Sequence, residues 1–181
     1  MAWRREPVDW PKAILQQLLD GEVPDATLQE IQSRPKEENR FEKILEIEQG
    51  RVPWHERIVV PLQEHLYVVL RRGDLIVKCA CGHEFGDYRR NWKLGASVYE
   101  RDCRDGEIYQ GPRAADPDWM ILREFYCPGC DSLLDTEAVP PGYPFTFAAL
   151  PDIAGFYSEH AALRERVFGD VPVPSRREAG G

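Results

Sequence analysis

No run of about eighteen apolar residues occurs in this chain, so no transmembrane helix is expected. The opening "MAWRREPVDWPK" has no apolar core of the kind a secretory signal needs. The reading is a soluble, cytoplasmic protein. Positive charge is scarce. Against 31 Asp and Glu stand 23 Lys and Arg, for a net charge of −8. A nucleic-acid-binding protein needs a basic face to neutralise phosphates, and even residues 79–130 hold more acids than bases. The recurrent catalytic signatures are missing too. There is no Walker A loop, GxGxxG or HExxH, and no serine on a nucleophile elbow. His55, His65 and His160 are scattered and read as packed or surface histidines. Asp87, Asp102 and Asp105 read as solvated loop carboxylates. The expectation is a chain that carries no catalytic residues of its own. Cysteines number only five, and their placement carries the most information.

What is present is enough for a core: 43% hydrophobic and 10% aromatic residues over 181 positions. The spacing predicts three parts. Residues 1–50 form an N-terminal helical segment, 51–150 a β-rich metal-binding domain, and 151–181 a C-terminal helix and tail. In the first part Asp9 is placed to cap a helix through Ile14, Leu15, Leu18 and Leu19, which Gly21 stops. Thr27 and Glu30 have capping-box spacing in a second helix ended by Pro35. A third lies in "EENRFEKILEIEQG", with Phe41, Ile44 and Leu45 on one side and Gly50 ending it. Such narrow apolar faces make little core alone.

From Arg57 the period changes. "RIVVPL", "LYVVLRR" and "LIVKC" read as strands, with a turn at Gly73-Asp74. "ASVYERD", "WMILREFYC" and "LLDTEAV" read as three more. "VPPGYPFTFAAL" should be extended and packed, and a helix is expected from about Ile153 to Val167. Trp92 and Trp119 read as core or interface anchors. The predicted class is α+β: a small antiparallel β domain with a zinc-ribbon-like site, N-terminal helices and an extended C-terminal segment.

Two strands deliver cysteine pairs. "LIVKC" runs into Cys79-Ala-Cys81-Gly-His83, and "WMILREFYC" into Cys127-Pro-Gly-Cys130. Thiols on tight glycine-bearing turns at strand ends suit tetrahedral zinc, so Cys79, Cys81, Cys127 and Cys130 are the candidate ligands of a closed structural site. The first pair is the shorter C-x-C, and the interval to Cys127 exceeds that of a minimal zinc ribbon. His83 is the rival ligand, able to replace Cys79 or Cys81 if the short pair cannot bind through both sulfurs. Cys103, in "ERDCRDG", reads as an incidental thiol. Redox use of Cys127 and Cys130 would require a helix after the motif, where a strand is predicted.

Longer stretches carry a resemblance. "CACGHEFGDYRRNWKLGASVYERD", "ILREFYCPGCDSLLDTEAVPP" and "LPDIAGFY", with "RFEKILEIEQGRVPWHERIVVPLQEHLYVV" upstream, resemble the gamma subunit of the acetone carboxylases and the equivalent subunit of acetophenone carboxylase. The resemblance spans roughly residues 40–160, and "NWKL" and "PDIAGFY" are its most specific words. It implies a small zinc-bearing, structural or regulatory subunit of an ATP-dependent ketone carboxylase. Large hydantoinase-like partner subunits would use ATP and bicarbonate and form the carbon–carbon bond. It implies zinc on Cys79, Cys81, Cys127 and Cys130, with His83 adjoining. "RDCRDGEIYQGPRAADPDW" and the N-terminus depart from the acetone enzymes, which tips the expectation toward acetophenone. No nucleic acid and no membrane are implied as partners.

Overall fold

The computed structural model describes residues 6–102 and 115–174. These fall in two units, one ending at Val52 and one beginning at Pro53. The expectations for Cys103 and Asp105 lie outside the described residues.

The first unit holds α1 (Lys12–Leu19), α2 (Asp25–Ser33) and α3 (Arg40–Arg51). Trp10, Leu15 and Ile31 are buried together, with Val8, Ile14, Leu18, Val23 and Ile47 packed around them. The unit therefore has a small apolar centre of its own, more than the narrow helix faces suggested. The expected caps are corrected. α1 starts after Pro11 and α2 after Pro24, and neither uses a side-chain cap. Each proline stands at the cap position with extended ψ, lacks an N–H that would need a partner, and its carbonyl accepts the first helical bond. Asp9 instead accepts from the Lys43 ammonium, and Glu30 from the Arg34 guanidinium at 2.7 Å. α2 ends at Ser33 because Arg34, preceding Pro35, is extended.

The second unit opens with an antiparallel meander of β1 (Arg57–Gln63), β2 (Leu66–Arg71), β3 (Asp74–Cys79) and β4 (Glu84–Asp87), in that order. Pro61 is tolerated because β1 is an edge strand with two register irregularities. The β2–β3 turn is Arg72-Gly73, one residue earlier than the sequence suggested. Arg71 pairs with Asp74, and both turn residues have positive φ, the geometry of a two-residue hairpin. A single 3₁₀ turn (Trp92–Gly95) leads to a second antiparallel sheet of β5 (Ser97–Arg101), β6 (Ile121–Tyr126) and β7 (Leu133–Val139).

The expected C-terminal helix is two helices, α4 (Ile153–Glu159) and α5 (Ala161–Phe168). The break falls at His160, which leaves helical backbone angles. Its Nδ1 lies 2.7 Å from the Phe156 carbonyl and its ring stacks on Phe156, so the side chain occupies the acceptor that a continuing helix would use. The helices pack on β1. The buried Tyr157 hydroxyl donates to the Val59 carbonyl at 2.7 Å, Tyr157 meets Phe168 edge-to-face, and Arg57 donates to the Arg166 and Val167 carbonyls.

The two sheets are joined by an edge-to-face aromatic row, His83–Phe85–Trp92–Phe125–Phe145, with centroids 4.9 to 6.3 Å apart. The Gln63 amide also donates to the Leu134 carbonyl. The α+β class with antiparallel sheets holds. Among the described residues no helix is long and apolar enough to cross a membrane.

Candidate metal centre

Each cysteine pair sits on the turn of a hairpin. Cys79 ends β3 and Cys81 precedes β4; Cys127 follows β6 and Cys130 precedes β7. The Cys79 N–H donates to the His83 carbonyl at 2.8 Å and the Cys79 carbonyl accepts from Gly82 N–H at 2.9 Å. In the second turn the Cys127 N–H donates to the Ser132 carbonyl, and the Cys127 carbonyl accepts from Asp131 N–H, both at 2.9 Å. The residue after the second cysteine has positive φ in both, Gly82 at 104° and Asp131 at 57°. The two knuckles thus share one plan, and the first is a residue shorter.

The knuckles face each other. Cys79 Sγ lies 3.8 Å from Cys130 Sγ, and Cys81 Sγ lies 3.7 Å from Cys127 Sγ. All four sulfurs fall within 4.8 Å of one another. Disulfides are excluded at these separations, since an S–S bond is about 2.05 Å. Sulfurs held about 2.3 Å from a tetrahedral zinc would be about 3.8 Å apart, which the two cross-knuckle pairs match. The donor set is also what zinc favours: four thiols, no carboxylate, and no ligand position left for substrate.

Charge stabilisation is uneven. Burial pushes the Cys79 thiol well above the usual cysteine value and raises Cys127 too. The Ser132 hydroxyl, 3.3 Å from the sulfur, and the Ser132 amide draw Cys130 down to about 7. Gly129 N–H donates to Cys127 Sγ at 3.4 Å. Two buried thiols that resist ionisation face two exposed ones, Cys81 and Cys130. A bound cation would supply the charge that lets the buried pair become thiolates.

His83 is not part of the four-sulfur group; its ring is turned edge-to-face toward Phe85. His55, His65 and His160 are exposed and none belongs to the four-sulfur group, although the His65 carbonyl accepts from Ala80 N–H in the first knuckle at 2.9 Å. Asp87 is not a free loop carboxylate. It is held below its ordinary pKa by the Arg89 guanidinium, which bonds it at 2.5 Å. Trp92 is buried in the aromatic row, whereas Trp119 is 80% exposed. The glycine expected to turn an amide toward a sulfur does so at Gly129, and sequence reasoning missed two contributors to the centre: Ser132 and Trp54, whose indole lies over the first knuckle. Only Ser132 had a local signal, two residues beyond Cys130.

The two distinctive words of the sequence have structural duties beside the site. In "NWKL", Asn91 accepts from Lys93 N–H and donates to the Phe145 carbonyl. Lys93 is buried, with its ammonium 2.5 Å from both Asp135 and Glu137. In "PDIAGFY", Asp152 caps α4 through Gly155 N–H at 3.1 Å. A Cβ at Gly155 would stand 2.5 Å from the Asp152 carboxylate, so only glycine fits under that cap. Tyr157 makes the bond to Val59.

The acetone carboxylase gamma subunit family matches residues 52–161, which contain both knuckles. The chain is 40% identical over 166 residues to the acetone carboxylase gamma subunit of Xanthobacter autotrophicus, covering 90% of this chain and 94% of that protein. It is 39% identical over 77 residues to the acetophenone carboxylase beta subunit of Aromatoleum aromaticum, covering 40% of this chain and 60% of that protein.

Proposed function

Because this chain belongs to the acetone carboxylase gamma subunit family, we propose that it is the small zinc-bearing, structural subunit of a cytoplasmic, ATP-dependent ketone carboxylase. One observation carries the zinc part: four thiols from two opposed hairpin turns, all within 4.8 Å of one another, with both cross-knuckle pairs near the separation zinc would impose. Zinc held by Cys79, Cys81, Cys127 and Cys130 would neutralise thiolate charge and fasten the β3–β4 hairpin to the β6–β7 hairpin. No step of the carboxylation is assigned to it.

The buried cations of the β unit support a structural role. Lys78 is committed to Glu56 at 2.6 Å, Lys93 to Asp135 and Glu137, and Arg123 to Glu137 at 3.1 Å and the Tyr143 carbonyl at 2.6 Å. These pairings fix the framework around the knuckles. Ketone activation and use of ATP and bicarbonate belong, in this reading, to large hydantoinase-like partner subunits in a hetero-oligomer.

Sequence reading put acetophenone ahead of acetone as the ketone. Coverage of the relatives favours the reverse order, since the acetone protein is matched over 94% of its length and the acetophenone protein over 60%. The substrate class proposed is a methyl ketone, with acetone first.

The test is Cys127→Ser in the native operon context. Cys127 is fully buried and its sulfur faces Cys81. The proposal predicts a lower yield of assembled complex, with the residual complex keeping its ketone affinity. Normal assembly with turnover selectively lost would instead make the centre part of the chemistry.

A further inference from the structure

The two knuckles differ in length by one residue, and that deficit has a hydrogen-bonding consequence. The Cys127 carbonyl, at the head of the longer knuckle, receives two backbone donors: Cys130 N–H at 3.4 Å and Asp131 N–H at 2.9 Å. The Cys79 carbonyl, its equivalent in the shorter knuckle, receives Gly82 N–H at 2.9 Å. Its second donor comes from outside the knuckle. The Trp54 indole Nε1–H reaches the Cys79 carbonyl at 3.2 Å and the Ala80 carbonyl at 3.0 Å.

The indole is held in that position from several sides. The Lys78 ammonium lies 5.0 Å from its ring centroid and is itself bonded to Glu56 at 2.6 Å. Tyr67 meets the ring edge-to-face at 6.0 Å. A Cβ at Gly82 would lie 3.6 Å from Trp54 Cδ1, which places the ring beside the residue after Cys81.

We infer that Trp54 is a positioning residue for the metal centre, its indole N–H supplying to the C-x-C knuckle the donor that its missing residue would have provided. The inference rests on the zinc reading. Trp54 touches no sulfur; it acts by fixing the backbone between Cys79 and Cys81, and so the angle at which both thiolates meet the ion. A knuckle with only one donor on its leading carbonyl has more freedom to open, and ligand loss from a zinc–thiolate site begins with such an opening. Removing one hydrogen bond of this kind changes an opening equilibrium by about three- to tenfold.

The experiment compares the full-length chain with W54F, which keeps an aromatic ring under Lys78 and loses the N–H. Replacing the indole by its benzothiophene isostere is the second variant, since it preserves ring shape entirely. Zinc release into a chromogenic chelator and the absorption spectrum of the cobalt-substituted site are recorded, with melting of the metal-loaded and metal-free chains alongside. The inference predicts release about three- to tenfold faster in both variants, shifted cobalt bands, and a larger drop in melting temperature with metal than without. Unchanged release and spectra overturn the inference while leaving zinc binding intact. An equal melting drop with and without metal, at unchanged release, makes Trp54 a packing residue only and overturns it too. A wild-type chain that retains no zinc overturns the zinc reading and this inference with it.

Discussion

Gly129 sits against His83 where the two knuckles meet: a Cβ on Gly129 would lie 3.0 Å from the His83 Cβ and 3.3 Å from Cys81 Sγ. Neither neighbour is the free end of a flexible side chain, so the added methyl would push the knuckles apart. Gly129→Ala is expected to destabilise the metal-loaded chain by about 1–2 kcal/mol and to speed zinc release. Melting with and without metal, together with chelator-driven release, checks this.

Lys93 is expected to be the costliest single charge to remove. Its buried ammonium joins Asp135 and Glu137, and it lies 4.9 Å from the Phe125 ring centroid. Lys93→Met would leave Asp135 without its ammonium and Glu137, which is only 12% exposed, with Arg123 as its remaining cation. Breaking one side of such a buried pair costs about 3–5 kcal/mol, read as a lower urea midpoint. Lys93→Met combined with Asp135→Asn, which leaves Glu137 paired with Arg123, should recover part of that loss.

The β unit should lose stability at both ends of the pH scale, for opposite reasons. Glu124 is held below its ordinary 4.5 by Arg101 and then Tyr126, and Glu56 below 4.5 by Lys78. Depressed carboxyls contribute fully above their ordinary values, and that contribution is lost as pH falls through the folded values. For Lys93, burial acts downward, but the bonds to Asp135 and Glu137 outweigh it and hold the pKa above 10.5. That contribution is complete below the ordinary lysine value and is lost as pH rises through the folded one. From these groups, melting of the metal-free chain should decline below about pH 4.5 and above about pH 10.5. Glu124→Gln should weaken the acid limb.

Tyr157→Phe removes the buried hydroxyl that satisfies the Val59 carbonyl and leaves the ring on Phe168. The expected loss is about 1–2 kcal/mol, seen as a lower melting temperature with zinc content unchanged. A change in zinc content would show that α4 and the metal centre are coupled.

The strands were legible because β-branched runs such as "RIVVPL" and "LIVKC" ended at recognisable turns, and the cysteines marked where two of them finished. β4 was not legible: Glu-Phe-Gly-Asp has no β-branched residue and is held by pairing with β3. The helix starts were misread because Pro11 and Pro24 override the polar residues beside them. The break at His160 depends on a ring–carbonyl contact that periodicity does not encode. That Cys79, Cys81, Cys127 and Cys130 would come together could be named from spacing alone. Trp54 could not, since it reaches Cys79 and Ala80 from 25 and 26 residues away.

The most direct test of the central claim is zinc content and native mass of the complex purified through this chain from its own host. The account predicts one zinc per chain and large ATP-using carboxylase subunits in the same particle. A lone chain, or a carboxylase particle in which this subunit carries no metal, would contradict it.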